Sequence, residues 1–191
     1  LRKILIALAT LAVTGVAGTV STTTPAAAAQ HHRPAPMTKE RQDKPFSLES
    51  FFVGRLVAQG SFVSRIDGNR RDLVAKMRGS WDGKTLTLVE DFVYADGERD
   101  RKTWRFTKVG PGRYVGTRED VIGEATVRDL GGRITLDYTA TVRKKDGGAY
   151  DLRFADEIVP AGPGRALNTA TVSLLFFPVG DVRLDIRRIG R

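Results

Sequence analysis

Residue pairs that accept positive backbone angles recur at intervals of about 15 residues through most of the chain, at Asp67-Gly68, Asp82-Gly83, Asp96-Gly97, Gly110-Pro111-Gly112, Gly131-Gly132, Asp146-Gly147-Gly148, Gly162-Pro163-Gly164 and Gly180-Asp181. Asp-Gly and Gly-Gly suit the two-residue turns that join neighbouring antiparallel strands, so each signal is expected to close a hairpin. The interval from Gly112 to Gly131 is longer and is expected to break near Glu119-Asp120. Few architectures accept hairpin after hairpin with no long crossover. The spacing points to an all-β meander of about 8–10 strands.

Side-chain alternation between the turns says which face is wet. Ile134, Leu136, Tyr138, Ala140 and Val142 share one face of a strand, while Arg133, Thr135, Asp137, Thr139, Thr141 and Arg143 share the other. Tyr150, Leu152, Phe154, Asp156 and Ile158 repeat the pattern on the next strand. Period two with one polar face marks an antiparallel sheet that covers a core on one side only. No amphipathic helix is long enough to cover that core, so the sheet must curl upon itself. A seven-stranded sandwich is the rival, but its Greek-key connections need longer loops. The fold expected is an antiparallel up-and-down barrel of lipocalin-like build. Ser47 followed by Leu48, Phe51 and Phe52 reads as a short capped helical turn that presents two rings to one end of it.

The barrel domain is expected over residues 47–191. Ahead of it, Arg2 and Lys3, the apolar run from Ile4 to Gly18 and the small residues Ala26 to Ala29 form the three-part pattern of a secretory signal over residues 1–29. The run is shorter than the roughly 20 residues of a membrane-spanning helix. Residues 30–46 are polar, carry Pro34, Pro36 and Pro45, show no hydrophobic period, and read as a flexible linker. The pattern implies export to the periplasm or cell envelope.

The chain has no cysteine, and its two histidines, His31 and His32, lie in the linker. That inventory removes disulfides, cysteine lipidation, Ser/His and Cys/His nucleophiles and histidine-based metal sites from the domain, and no cofactor is implied. The formal charge is +9, of which +7 remains without Arg2 and Lys3. Such a surface suits peripheral contact with an anionic membrane; because its basic residues alternate with Thr and Asp, no nucleic-acid partner is expected.

Acids on otherwise apolar faces are the candidates for chemistry. Glu90 stands between Leu88 and Phe92 at period two, Asp156 lies on the face of Phe154, and Asp120 sits with Arg118 at the expected strand break. A lone buried carboxylate costs several kcal/mol, about enough to demand a cation, a donor or a wet cavity. One reading is an interior ion pair that fixes register. Another makes Glu90, Asp120 and Asp156 the polar floor of a binding cavity. Phe92, Tyr94, Trp104, Tyr114, Tyr138 and Phe154 would then supply its apolar wall, or simply fill the barrel.

The run Trp81-Asp82-Gly83-Lys84-Thr85-Leu86-Thr87-Leu88-Val89-Glu90-Asp91-Phe92-Val93-Tyr94, with Asp96-Gly97 and Trp104, resembles bacterial domain-of-unknown-function family 3833, uncharacterised lipocalin-like envelope proteins. The resemblance extends to Phe51-Phe52-x-Gly54, to Gly112-Arg113-Tyr114-Val115-Gly116, to Asp120-Val121-Ile122-Gly123 and to Asn168. This chain departs from the family's pattern at Ala155-Asp156-Glu157-Ile158, near Thr169 and Leu174, and in lacking a lipidated cysteine. The resemblance implies the barrel and no activity.

The function expected is a non-enzymatic barrel that binds a small apolar or amphipathic, lipid-like ligand. Two alternatives stay open: a filled structural barrel acting through its basic surface at an anionic membrane, and a carboxylate-dependent enzyme. A void above about 300 Å³ separates the first from a filled barrel.

Overall fold

A computed structural model describes residues 45–143 and 147–190. The signal segment and nearly all of the linker expected from the sequence lie outside the described residues. The elements are α1 (Leu48–Phe52), β1 (Gly54–Ser64), β2 (Arg70–Trp81), β3 (Thr85–Tyr94), β4 (Arg99–Gly110), β5 (Arg113–Thr117), β6 (Ala125–Asp129), β7 (Ile134–Arg143), β8 (Ala149–Pro160), β9 (Arg165–Leu174) and β10 (Phe177–Arg188). Each strand pairs antiparallel with the next, and β1 also pairs with β10, so Leu56 lies between Met77 and Arg188 and the sheet closes. Closure leaves no strand edge to be protected. The ten-strand antiparallel barrel is the architecture expected from the hairpin rhythm.

Seven of the nine connections fall where the turn signals or the expected break at Glu119-Asp120 put them. The β7–β8 connection includes residues outside the description. The last one differs: Gly180-Asp181 is not a turn but lies inside β10, opposite Ser64 and Val63, beside a register shift between Pro178 and Gly180. Gly180 is needed for close approach, because a Cβ there would stand 2.2 Å from the Phe62 ring. The turn itself is Leu175-Phe176, with Leu175 at φ 56.

The two ends of the barrel differ. Ser47 caps α1, accepting from Ser50 N–H while the Ser50 hydroxyl accepts from Ser47 N–H. The helix then places Leu48, Phe51 and Phe52 across the end where β1 begins, all at most 5 % exposed. Several contacts hold it there. Leu48 N–H donates to Asp129 Oδ2 at 3.2 Å, and Arg188 donates to the carbonyls of Ser50 and Val53 at 3.0 and 2.8 Å. Glu49 accepts from Lys108 Nζ at 2.7 Å and from the Tyr114 hydroxyl. Gly79 lets the helix sit this close, since a Cβ would fall 1.9 Å from the Phe52 carbonyl oxygen.

Of the fully buried side chains, Leu56, Leu86, Val127 and Ile134 lie above this plug, while Val172 and Ser64 lie farther along the barrel. Toward the opposite end the interior opens. The outer face is laced with ion pairs such as Arg133–Glu157, Arg153–Asp137 and Arg165–Asp185. Polar outside and apolar inside is the reverse of a barrel whose wall faces lipid. No helix among the described residues is long and apolar enough to cross a membrane.

Candidate functional site

The interior encloses a cavity of about 1490 Å³, running from the packed layer over α1 to the end of the barrel away from it. Ordinary small-molecule pockets hold roughly 300–1,000 Å³, so this barrel is not filled by its own side chains. Small residues on inward positions of β1, β2 and β9, Ala58, Ala75 and Ala170, leave the space that bulkier ones would occupy.

One wall is aromatic. The Tyr138 and Phe154 rings, directly opposite across β7 and β8, stack with centroids 5.0 Å apart, and Trp104 meets Tyr138 edge-on at 5.0 Å and Phe106 in a stack at 4.9 Å. Phe92 and Tyr94 continue the lining along β3 toward the open end.

A polar cluster crosses this wall at mid-height. Strands β5 and β6 are only five residues each, so the chain between them completes the barrel wall at that level. It is tied to β7 by Thr141 N–H donating to the Asp120 carbonyl at 2.8 Å and Ile122 N–H donating to Thr139 at 2.8 Å. Arg118 therefore enters the interior, its guanidinium 4.5 Å from the Trp104 ring centroid and 5.2 Å from that of Tyr138. It donates to Asp120 from Nε at 2.6 Å and from Nη2 at 3.3 Å. Lys102, from β4, reaches Asp120 at 3.2 Å and Asp100 at 3.0 Å. Burial alone would raise Asp120, but Arg118 and Lys102 outweigh it and hold the carboxyl below its ordinary value.

Glu90 and Asp156 are differently placed. Burial raises Glu90 from 4.5 to about 7; Arg118 opposes the rise, and the nearby Asp156, Glu119 and Asp120 add to it. Burial likewise raises Asp156 from 3.8 to about 6 against the pull of Asn168 and Arg118. Asn168 Nδ2 donates to Asp156 Oδ1 at 2.9 Å, while Asp156 Oδ2 is buried with no partner among the described residues. Among the described residues neither acid forms an ion pair of its own, and an unpaired buried acceptor is costly, by about 1–3 kcal/mol. An incoming donor would relieve that cost.

Eight of the nine residues singled out from the sequence line this cavity: Glu90, Phe92, Tyr94, Trp104, Asp120, Tyr138, Phe154 and Asp156. Tyr114 does not. It is buried in the packed layer near α1, where its hydroxyl is bound to Glu49, and its role is to hold the helix. Period two puts Tyr114 on the inward face, but sequence does not tell how high on that face the plug reaches.

Two interior cations were missed. Lys102 alternates with Trp104 and Phe106, and Arg71 with Leu73, Ala75 and Met77; the same period would have found both. Arg71 sits 3.7 Å from the Tyr94 ring centroid near the mouth, bound to Asp96 and Glu98 at 3.0 and 2.6 Å. Among the described residues no group of His, Cys, Asp and Glu is arranged to hold a metal.

The sequence profile of the family described as "Protein of unknown function (DUF3833)" matches residues 27–188. No curated protein matches the chain. Among solved structures, the S-type phycobiliprotein lyase CPES from Guillardia theta superposes with a TM-score of 0.55 at 11 % identity, over 76 % of this chain and 95 % of that one. The structure of EF1p2_mFAP2b bound to DFHBI matches with a TM-score of 0.42 at 10 % identity, over 74 % of this chain and 96 % of that one. The likeness to the lyase is one of fold, and it is lipocalin-like.

Proposed function

We propose that this chain, which belongs to the DUF3833 family of proteins of unknown function, is a non-enzymatic barrel that takes a small apolar or amphipathic, lipid-like molecule into its interior. The observation that carries the reading is the open cavity of about 1490 Å³ with aromatic rings on its wall and two raised-pKa acids part-way down. Burial of a ligand body among Phe92, Trp104, Tyr138 and Phe154 would contribute about 2.5 kcal/mol for each 100 Å² of apolar surface removed from water. Glu90, Asp156 and the Tyr138 hydroxyl would fix the polar end. A head that donates hydrogen bonds or carries positive charge suits them best, because such a head supplies what the Asp156 carboxylate lacks.

The N-terminal pattern supports export, with the periplasm or envelope as the place of action. Two acids held toward neutral protonation in one cavity also fit carboxylate catalysis, the second reading. Recovery of the bound molecule chemically unchanged after incubation supports carriage over catalysis.

The test is titration of the full chain with an apolar fluorescent amine whose N–H can donate to these acids, N-phenyl-1-naphthylamine, alongside an Ala170→Phe variant that fills the cavity from β9. Saturable fluorescence in the wild type, weakened at least tenfold in the variant, is expected. Failure of the wild type to bind the probe, together with an unchanged melting temperature in lipid extract, sinks the proposal.

A further inference from the structure

The β9–β10 hairpin ends in three consecutive apolar side chains turned into solvent: Leu175 is 75 % exposed, Phe176 93 % and Phe177 71 %. A hairpin tip of this kind ordinarily carries Gly, Asn or Asp, and Leu175 holds a left-handed backbone at φ 56 that costs a branched residue about 1 kcal/mol or more. Neither the strand pairing nor the core accounts for these side chains. Ile66, 45 % exposed, adds to the patch from the adjoining β1–β2 turn, which is tied to it by Arg65 N–H donating to the Val179 carbonyl at 2.9 Å.

Topology fixes where this tip lies. Strand β1 begins beside α1 and ends at Ser64, which pairs with Gly180, so the tip stands at the end of the barrel opposite the plug. That is the end at which the cavity opens, and Ile66, Leu174 and Val179 belong both to the cavity lining and to the surroundings of the tip.

We propose that Leu175, Phe176 and Phe177 are a membrane-docking wedge that inserts into the interfacial layer of an anionic lipid bilayer and turns the mouth of the barrel toward it. Three arguments favour lipid over a protein partner. The three side chains expose on the order of 400 Å² together, given about 150–250 Å² for an aromatic side chain, whereas a standard protein interface takes about 800 Å² from each partner. The surface is a convex tip, which a fluid interface accepts without a matching shape; Phe and Leu are the residues that such insertion employs. The net charge of +7 that remains without Arg2 and Lys3 favours an anionic leaflet. Docking at this end would let an apolar molecule pass between bilayer and cavity without crossing bulk water. The wedge stands whether or not the cavity holds a ligand, since its test reads lipid contact alone.

The chain has no cysteine, so a single Phe176→Cys substitution in the full chain takes one nitroxide label. With vesicles of phosphatidylethanolamine and phosphatidylglycerol, the label is expected to become accessible to oxygen and shielded from a water-soluble nickel chelate. A label at Lys84→Cys, exposed in the β2–β3 turn at the plugged end, is expected to stay in water. The pair Phe176→Ser and Phe177→Ser should lower vesicle partition at least tenfold with the melting temperature held or raised. A label at 176 that remains in water overturns the proposal, as does a double variant that partitions like the wild type. A wild-type dimer that the double variant makes monomeric, with no lipid contact at 176, also overturns it and assigns the tip to a second copy of the chain.

Discussion

Glu90 is the residue at which the barrel's chemistry and its stability are most directly opposed. In the unfolded chain its carboxyl loses its proton near 4.5 and that of Asp156 near 3.8, but in the folded barrel they do so at about 7 and about 6. Between those values the folded state holds more protons than the unfolded one, so stability contributed by these groups is greatest at low pH. It falls as pH rises through the window and levels off above about 7. Glu90→Gln keeps the shape and removes the titration. The variant is expected to melt higher than wild type at pH 8, by on the order of 2 kcal/mol, and to flatten the melting profile between pH 5 and 8; an unchanged profile would show Glu90 already ionised in the folded protein. Glu49 behaves in the opposite sense. Burial raises it, but the bonds from Lys108 and Tyr114 prevail and lower it, so its grip on α1 is present at neutral pH and lost in acid. Tyr114→Phe should cost about 1–2 kcal/mol in denaturant unfolding at pH 7 and less in acid, as Glu49 takes up its proton below its lowered pKa. The inward direction of Glu90, Asp156 and the aromatic residues was legible in the sequence because period two is unforgiving: a neighbouring position faces the other way. The partnership of Arg118 with the Trp104 and Tyr138 rings was not, since it depends on a connection crossing the wall.

Among the elements, the hairpins show where turn chemistry informs and where it misleads. Asp82-Gly83 and Asp96-Gly97 are turns with positive glycine angles of 101° and 83° and open space where a Cβ would go. Gly180 bears the same signal in sequence yet serves a crowded crossing of β10 with Phe62. The two kinds of glycine separate on substitution. Gly180→Ala is expected to lower stability by about 1–3 kcal/mol through overpacking against the ring, whereas Gly83→Ala meets no atom and should cost only about 1 kcal/mol in backbone strain. Thermal unfolding of both variants measures the difference. The true β9–β10 turn escaped sequence reading because Leu175-Phe176 has no turn-forming residue; only tertiary pairing dictates it. Leu175→Asn should therefore stabilise the protein by up to about 1 kcal/mol while weakening vesicle binding, since Asn accepts the left-handed angle and Leu does not. Melting and partition measured on the same variant would show whether the strain is tied to docking. The short β5 and β6 were legible as a long interval between turn signals with a break near Glu119-Asp120, but the bonding of β7 to Asp120 could not be inferred from it.

At the scale of the molecule, hairpin rhythm and one-sided polarity sufficed for a curled antiparallel sheet, but closure of β1 on β10 and the emptiness of the interior are sums over many side chains. A barrel with Leu or Phe in place of Ala58, Ala75 and Ala170 would present the same alternation and have far less cavity. Hollow and filled barrels therefore read alike until the interior volumes are placed. Among the described residues the barrel is closed by α1 at one end, open at the other and crossed by the polar cluster between them, and the proposed carriage would have its ligand enter at the open end. Native mass spectrometry of the protein purified from its host without detergent tests this most directly. The wild type should carry a discrete, extractable mass adduct that the Ala170→Phe variant lacks; bare protein in both would contradict the account.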